Sequence, residues 1–270
     1  MAEMEDMLNP KDKVIHESFR IFITCLPTNE FPLSLLQMAI KVTTEPPKGL
    51  KAGLARTFST TVNQDFLEKV EPPEKWRSLV LSLCFMHSIV QERRKFGPLG
   101  FCIPYEFNNA DMDASLLYID RHLTQCQQTN TPLSWKAIRY MVTEVQYGGR
   151  ITDNLDRELF ITYGDRWINE NCLSQNYCFD HTVTEFNYHI PDYLEHQRFV
   201  EYINKMPGND TPCIFGLHAN ADLTFRLKES VEMINVLIDT QPKEASAAGG
   251  LSREDQVKEK IEKELLPKLP

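Results

Sequence analysis

Residues 74–92, EKWRSLVLSLCFMHSIVQE, carry more apolar side chains than one helix face can hold. Trp76, Leu79, Val80, Leu83, Met86, His87 and Val90 fall on one stripe at helical spacing, and Leu81, Phe85 and Ile89 occupy its flank. A surface helix needs a single apolar stripe roughly 100° wide, so this pattern predicts a helix buried on more than one side. Its end is just as definite. Arg93, Arg94 and Lys95 sit in the last turn, where cations complement the helix dipole, and Gly97-Pro98 stops the helix before the chain re-enters aromatic sequence at Phe101.

Other helices are expected on both sides. Residues 31–40 predict a short helix with Pro32 near its start. Asp111 is expected to cap a helix to about residue 123, with Met112, Leu116, Ile119 and Leu123 inward. Ser134 should cap the next, with Trp135, Ile138, Val142 and Val145 as its stripe and Gly148-Gly149 as its end. Thr152 or Asp153 opens another, with Leu155, Leu159 and Tyr163 facing inward. Pro191-Asp192 should open a helix to Lys205, and Asp222 should cap one to Asp239.

Strand signals are few. FRIFITCL (19–26) and IKVTT (40–44) read as strands, and residues 176–190 alternate loosely as in a small hairpin. The expected class is therefore mainly α with a small β component (α+β). The strand–helix–strand start has too few strands to close a sheet, so the chain is expected to be a fragment of something longer. QPKEASAAGG (241–250) reads as a linker. SREDQVKEKIEKELL (252–266) reads as a charged helix whose only apolar stripe is Val257, Ile261 and Leu265; alone it would be marginal in water, so it should dock on something.

Composition narrows the function classes. The net charge of -9 argues against nucleic acid, which requires a basic footprint, and against an anionic membrane surface. No apolar run approaches the roughly 18 to 20 residues that span a bilayer. The seven cysteines form no CxxC pair and are expected as free thiols. No Gly-Lys dipeptide occurs, so the phosphate-cradling loop GxxxxGK[ST] is absent, as is GxGxxG. Cys172, Cys178, His181 and His189 match no structural-zinc spacing, and no metal is expected. Glu144 and Asp153 flank the Gly-Gly turn, but capping accounts for Asp153 more simply than acid–base chemistry. His87 reads as a core histidine. Arg93, Arg94 and Lys95 can hold a phosphate or an acidic partner, or simply close a helix. Arg150, just after the paired glycines, is placed where a guanidinium can be aimed at a partner.

Four segments, in order, carry a family resemblance: FRIFITCLP with FPLSLLQMAIKVTTEPPKGLKAGLARTF (19–58), MHSIVQERRKFGPLGFCIPYEF (86–107), YGGRITDNLDR (147–157) and FGLHANADLTF (215–225). Together they resemble the dynein heavy chain, with ERRKFGPLG closer to axonemal than to cytoplasmic types. The resemblance implies a motor built on a ring of six AAA+ modules that hydrolyses ATP mainly in the first. This chain would supply the end of the sixth module's α/β core (1–56), its helical lid (57–240), and a linker and helix leading toward the C-terminal domain (241–270). The sixth module would be a structural ring element without catalysis of its own, with ATP and Mg held elsewhere in the parent chain. FRIFIT would stand where active modules carry a polar sensor. AAA+ modules commonly offer a trans arginine near the second strand; residues 31–45 contain no Arg and only Lys41. Lys41, Arg93, Arg94 and Arg150 are the nucleotide-proximal or inter-module candidates. Implied partners are the other AAA+ modules and the C-terminal domain, and, for the parent complex, microtubules and dynein intermediate and light chains in a cilium or flagellum axoneme. The rival reading is a free-standing helical scaffold that grips another protein through its acidic surface and last helix.

Overall fold

The computed structural model describes residues 16, 18–25, 28, 31–42, 47–174, 177–181, 186–192 and 195–240. Contacts divide the chain into two units, Met1–Pro46 and Pro47–Pro270. In the first unit the described structure is one short helix, α1 (Leu33–Met38), whose N-terminal neighbour is Pro32. Residues 19–25 form no strand, and Phe22 and Ile40 are 92% and 93% exposed. The strand expected there is therefore corrected. A strand exists only through hydrogen bonds to a neighbouring strand, and none is present among the described residues to receive it. The same holds for 40–42; the rest of IKVTT lies outside the described residues.

The second unit is helical: α2 (Leu50–Thr60), α3 (Gln64–Glu68), α4 (Pro73–Arg93), α5 (Asn109–Thr129), α6 (Trp135–Arg139), α7 (Asn154–Trp167), α8 (His196–Lys205) and α9 (Asn220–Thr240). Helix α4 is its axis. Every stripe and flank residue named from sequence is buried, and α2, α3, α5 and α7 all pack on it. Gly53 of α2 lies so close that an added Cβ would stand 3.0 Å from Ser88 Oγ. Phe85 stacks on Phe179 at 4.1 Å and meets Trp167 edge-on at 5.6 Å. Each such ring pair adds about 1 kcal/mol beyond the area it buries.

Several boundaries differ from expectation for local reasons. Asp111 is the third residue of α5, not its cap. Asn108 caps the helix, and the two residues form a reciprocal capping box. Ser134 does cap α6, but the helix continues as a π-turn segment, Tyr140–Gln146, in which the Tyr147 N–H donates to the Val142 carbonyl. The extra residue per turn rotates the face, so Ile138 and Val142 are buried while Val145 is exposed. Asp153 caps α7, and the inward stripe is Asp156, Phe160, Tyr163 and Trp167; Leu155 points out. Helix α8 begins at His196 rather than after Pro191, and Asp222 lies inside the first turn of α9. The expected hairpin is a single antiparallel bridge between Cys178 and His189 among the described residues, with no ladder on either side. The linker and final helix expected at 241–270 lie outside the described residues.

Candidate functional site

The site is a corner. Helix α4 passes into a 3-10 turn, Arg94–Leu99, and the chain doubles back at Gly97, which has φ 57 and ψ -131. Only glycine adopts that backbone without strain. Gly100 is constrained differently: an added Cβ would stand 1.9 Å from the Arg93 carbonyl oxygen. The two glycines therefore fix the turn, one by torsion and one by lack of space.

Arg93 holds the turn from inside. Its Nε and Nη2 donate to the Gly100 carbonyl at 3.0 and 2.6 Å, and Nη1 donates to the Phe215 carbonyl. The guanidinium lies 5.3 Å from the ring centres of both Phe101 and Tyr163, and the residue is only 3% exposed. Burial pulls its pKa below the usual arginine value, opposed by Tyr163 and by the Asp156 charge. Tyr163 donates to the same Phe215 carbonyl at 2.7 Å, and burial pushes its hydroxyl pKa up to about 12.

Helix α7 straps the far side. Asp156 is buried and accepts the N–H groups of Cys102 at 2.9 Å and Ile103 at 3.3 Å. Tyr105 Oη accepts the Asp153 N–H at 3.1 Å. Gln91 of α4 donates to the Phe107 carbonyl at 3.0 Å. The loop between α4 and α5 is thereby tied at 100, 102, 103, 105 and 107 to interior groups.

A second clasp follows. Arg150 Nε meets both oxygens of Asp111 at 2.8 Å, while Asp111 Oδ2 also accepts the Asn108 N–H at 3.0 Å. Beneath it His87 Nδ1 pairs with Tyr147 Oη at 2.8 Å. Burial drives the His87 pKa down to about 4 against the pull of Asp111, so the imidazole is neutral near pH 7. The core-histidine reading of His87 holds.

The four basic candidates thus sit in different settings. Arg93 is interior to the corner. Arg94 is on its surface, 3.4 Å from Glu106. Arg150 is at the α5 clasp, with its side chain 41% exposed. Lys41 belongs to the first unit and is exposed. Lys95 pairs with Glu92 at 3.1 Å and lies over the rings of Phe96, Phe215 and Phe225.

Among the described residues, one group of metal-type donors comes together, Cys102, Asp153 and Asp156. Both carboxylates there already accept backbone N–H groups, which is a capping arrangement. Cys172, Cys178, His181 and His189 do not converge. Glu144 is exposed on a groove of about 540 Å³ between the π-turn segment and α7, and Asp153 caps α7. Sequence reasoning placed Tyr163 inward but not at this corner, and it missed Asp156 and Phe215. The D-x-x-D spacing of Asp153 and Asp156 was a usable capping signal; Phe215 is 122 positions from Arg93 and gave none.

Comparison with known proteins places these features in a family context. A family model described as the dynein heavy chain AAA lid domain matches residues 76–221, and one described as the dynein heavy chain region D6 P-loop domain matches residues 1–43. The chain is 43% identical over 274 residues to the dynein gamma chain of the flagellar outer arm of Chlamydomonas reinhardtii. It is 41% identical over 270 residues to dynein axonemal heavy chain 8 of Mus musculus. It is 37% identical over 261 residues to dynein axonemal heavy chain 6 of Homo sapiens. These alignments cover 97% or more of the chain but only 6% of each relative, so the chain spans a small part of their length.

Proposed function

The chain belongs to the dynein heavy chain family, and from that footing we propose that it is a mechanical segment of a longer axonemal heavy chain. It forms the end of an AAA+ core and the helical lid that follows, and it passes ring movements on by rigid-body shifts. The observation that carries this reading is the Arg93–Gly100–Asp156 corner. Two constrained glycines and a buried guanidinium fix the angle between α4 and the chain that leads to α5, so a push on one helix reaches the next without being absorbed.

The segment does no chemistry. ATP and Mg are bound and hydrolysed elsewhere in the parent, whose work is minus-end-directed movement on microtubules in a cilium or flagellum axoneme. Its immediate partners are neighbouring AAA+ modules and the C-terminal domain of the same heavy chain; intermediate and light chains join the parent complex. The exposed apolar residues of 19–25, including Phe22, belong in a sheet completed by preceding sequence, as expected for the end of the D6 P-loop domain. Arg150, Arg94 and Lys41 are the residues available to meet a neighbouring module. Arg93, although named with them from sequence, serves the turn.

Calorimetry of the 270-residue chain with Mg-ATP and with Mg-ADP tests the passive role. No heat of binding is expected up to millimolar nucleotide, and micromolar binding to either would overturn it.

A further inference from the structure

Helix α9 (Asn220–Thr240) leaves the body of the second unit with its apolar side chains uncovered. It touches the 3-10 turn at Arg94–Leu99, and Ala221 is its one buried residue. Leu223, Leu227, Val231, Ile234 and Ile238 are between 50% and 68% exposed. The last four follow the 4-3-4 spacing of a coiled-coil seam. Met233, Val236 and Leu237 are also more than half exposed, so this end of the helix is apolar nearly all round, the pattern of a helix enclosed by others.

We propose that residues 252–266 of the same chain fold back antiparallel on this ridge and cover it. Three properties select this occupant. Its length fits: fifteen residues at a rise of about 1.5 Å make about 22 Å, the distance from Leu223 to Ile238 along α9. Its apolar residues Val257, Ile261 and Leu265 recur every four positions and would supply knobs for the seam. Its charges complement those of α9 in the antiparallel sense. The N-terminal half of α9 carries Arg226 and Lys228, opposite Glu264 and Glu262; its C-terminal half carries Glu232, opposite Lys258.

The intervening residues 241–250 permit the reversal. By composition, ten residues of this kind can span about 18 Å, enough to cross the 8–10 Å between packed helix axes. Such a tether gives a local concentration in the millimolar range, so a modest contact area suffices.

Hydrogen exchange tests it, comparing the 270-residue chain, a chain ending at Thr240, and the full chain carrying Ile261→Asp. Amides of 223–238 are expected to exchange at least tenfold faster in the shortened chain and in Ile261→Asp, while those of α4 stay unchanged as a control for folding. A synthetic peptide of residues 250–270 should restore protection to the shortened chain and should not bind the intact one. Equal exchange of 223–238 in all three chains would overturn the proposal. So would protection that rises with chain concentration in the intact protein, which would assign the ridge to a second copy.

Discussion

The Arg93 guanidinium closes on the Gly100 carbonyl with two hydrogen bonds, at 3.0 and 2.6 Å, across the six residues that separate them. The same side chain reaches the Phe215 carbonyl, so one buried cation joins the end of α4, the returning loop and the turn before α9.

Removing that cation takes both Arg93 hydrogen bonds from the buried Gly100 carbonyl and leaves the Phe215 carbonyl with Tyr163 alone. Arg93→Met should cost about 3 kcal/mol, since breaking one side of a buried charged network leaves the other side desolvated. Urea unfolding followed by tryptophan fluorescence gives the number; a loss under about 1 kcal/mol would mean the clamp is incidental.

The glycines should separate into two kinds. Gly100→Ala forces its methyl into the Arg93 carbonyl and should destabilise more than Gly97→Ala, whose side chain meets nothing within 4 Å and suffers only torsional strain of about 1–3 kcal/mol. Gly149→Ala, with open space and ordinary torsion, is the neutral control. Melting temperatures should fall in the order Gly149→Ala, Gly97→Ala, Gly100→Ala.

His87 makes stability depend on pH. Its pKa falls from 6.5 to about 4 on folding, so the unfolded chain binds the extra proton between those values. The contribution is complete above pH 6.5 and is lost as pH falls toward 4, for a total of about 3 kcal/mol. Denaturation at pH 7.0 and 4.5 should show this loss in the native chain, and His87→Gln should reduce it. An unchanged slope in the variant would assign the acid sensitivity elsewhere.

Thiol labelling should divide the cysteines. Cys84 and Cys172 are buried, with thiol pKa values pushed up to about 12, whereas Cys25 and Cys102 are exposed. At pH 8 a disulfide reagent should leave Cys84 and Cys172 unmodified until denaturant is added. Rapid labelling of either in the native chain would contradict the packing around α4.

The parts legible from sequence are those set by neighbours within a turn or two. The burial of α4, the Ser134 and Asp153 caps, and the Gly97-Pro98 stop all follow from residues close by. What escaped depends on distant partners. Residues 19–25 have the composition of a strand but form none without a neighbouring strand. Arg93 read as a solvated helix end because nothing local shows that Phe215 brings a carbonyl to it. The phase of α7 slipped from Leu155 to Asp156 because a buried aspartate looks polar until its two backbone donors, Cys102 and Ile103, are in place. The π-turn at Tyr140–Gln146 leaves no compositional mark, so the fate of Val145 could not be read.

The most direct test of the mechanical role places Gly97→Ala in the full heavy chain and measures ATP turnover and microtubule gliding on the same preparation. Turnover should persist while gliding slows, because the corner carries motion and not chemistry. Loss of turnover, or undiminished gliding in a ring whose lid is measurably destabilised, would contradict that role.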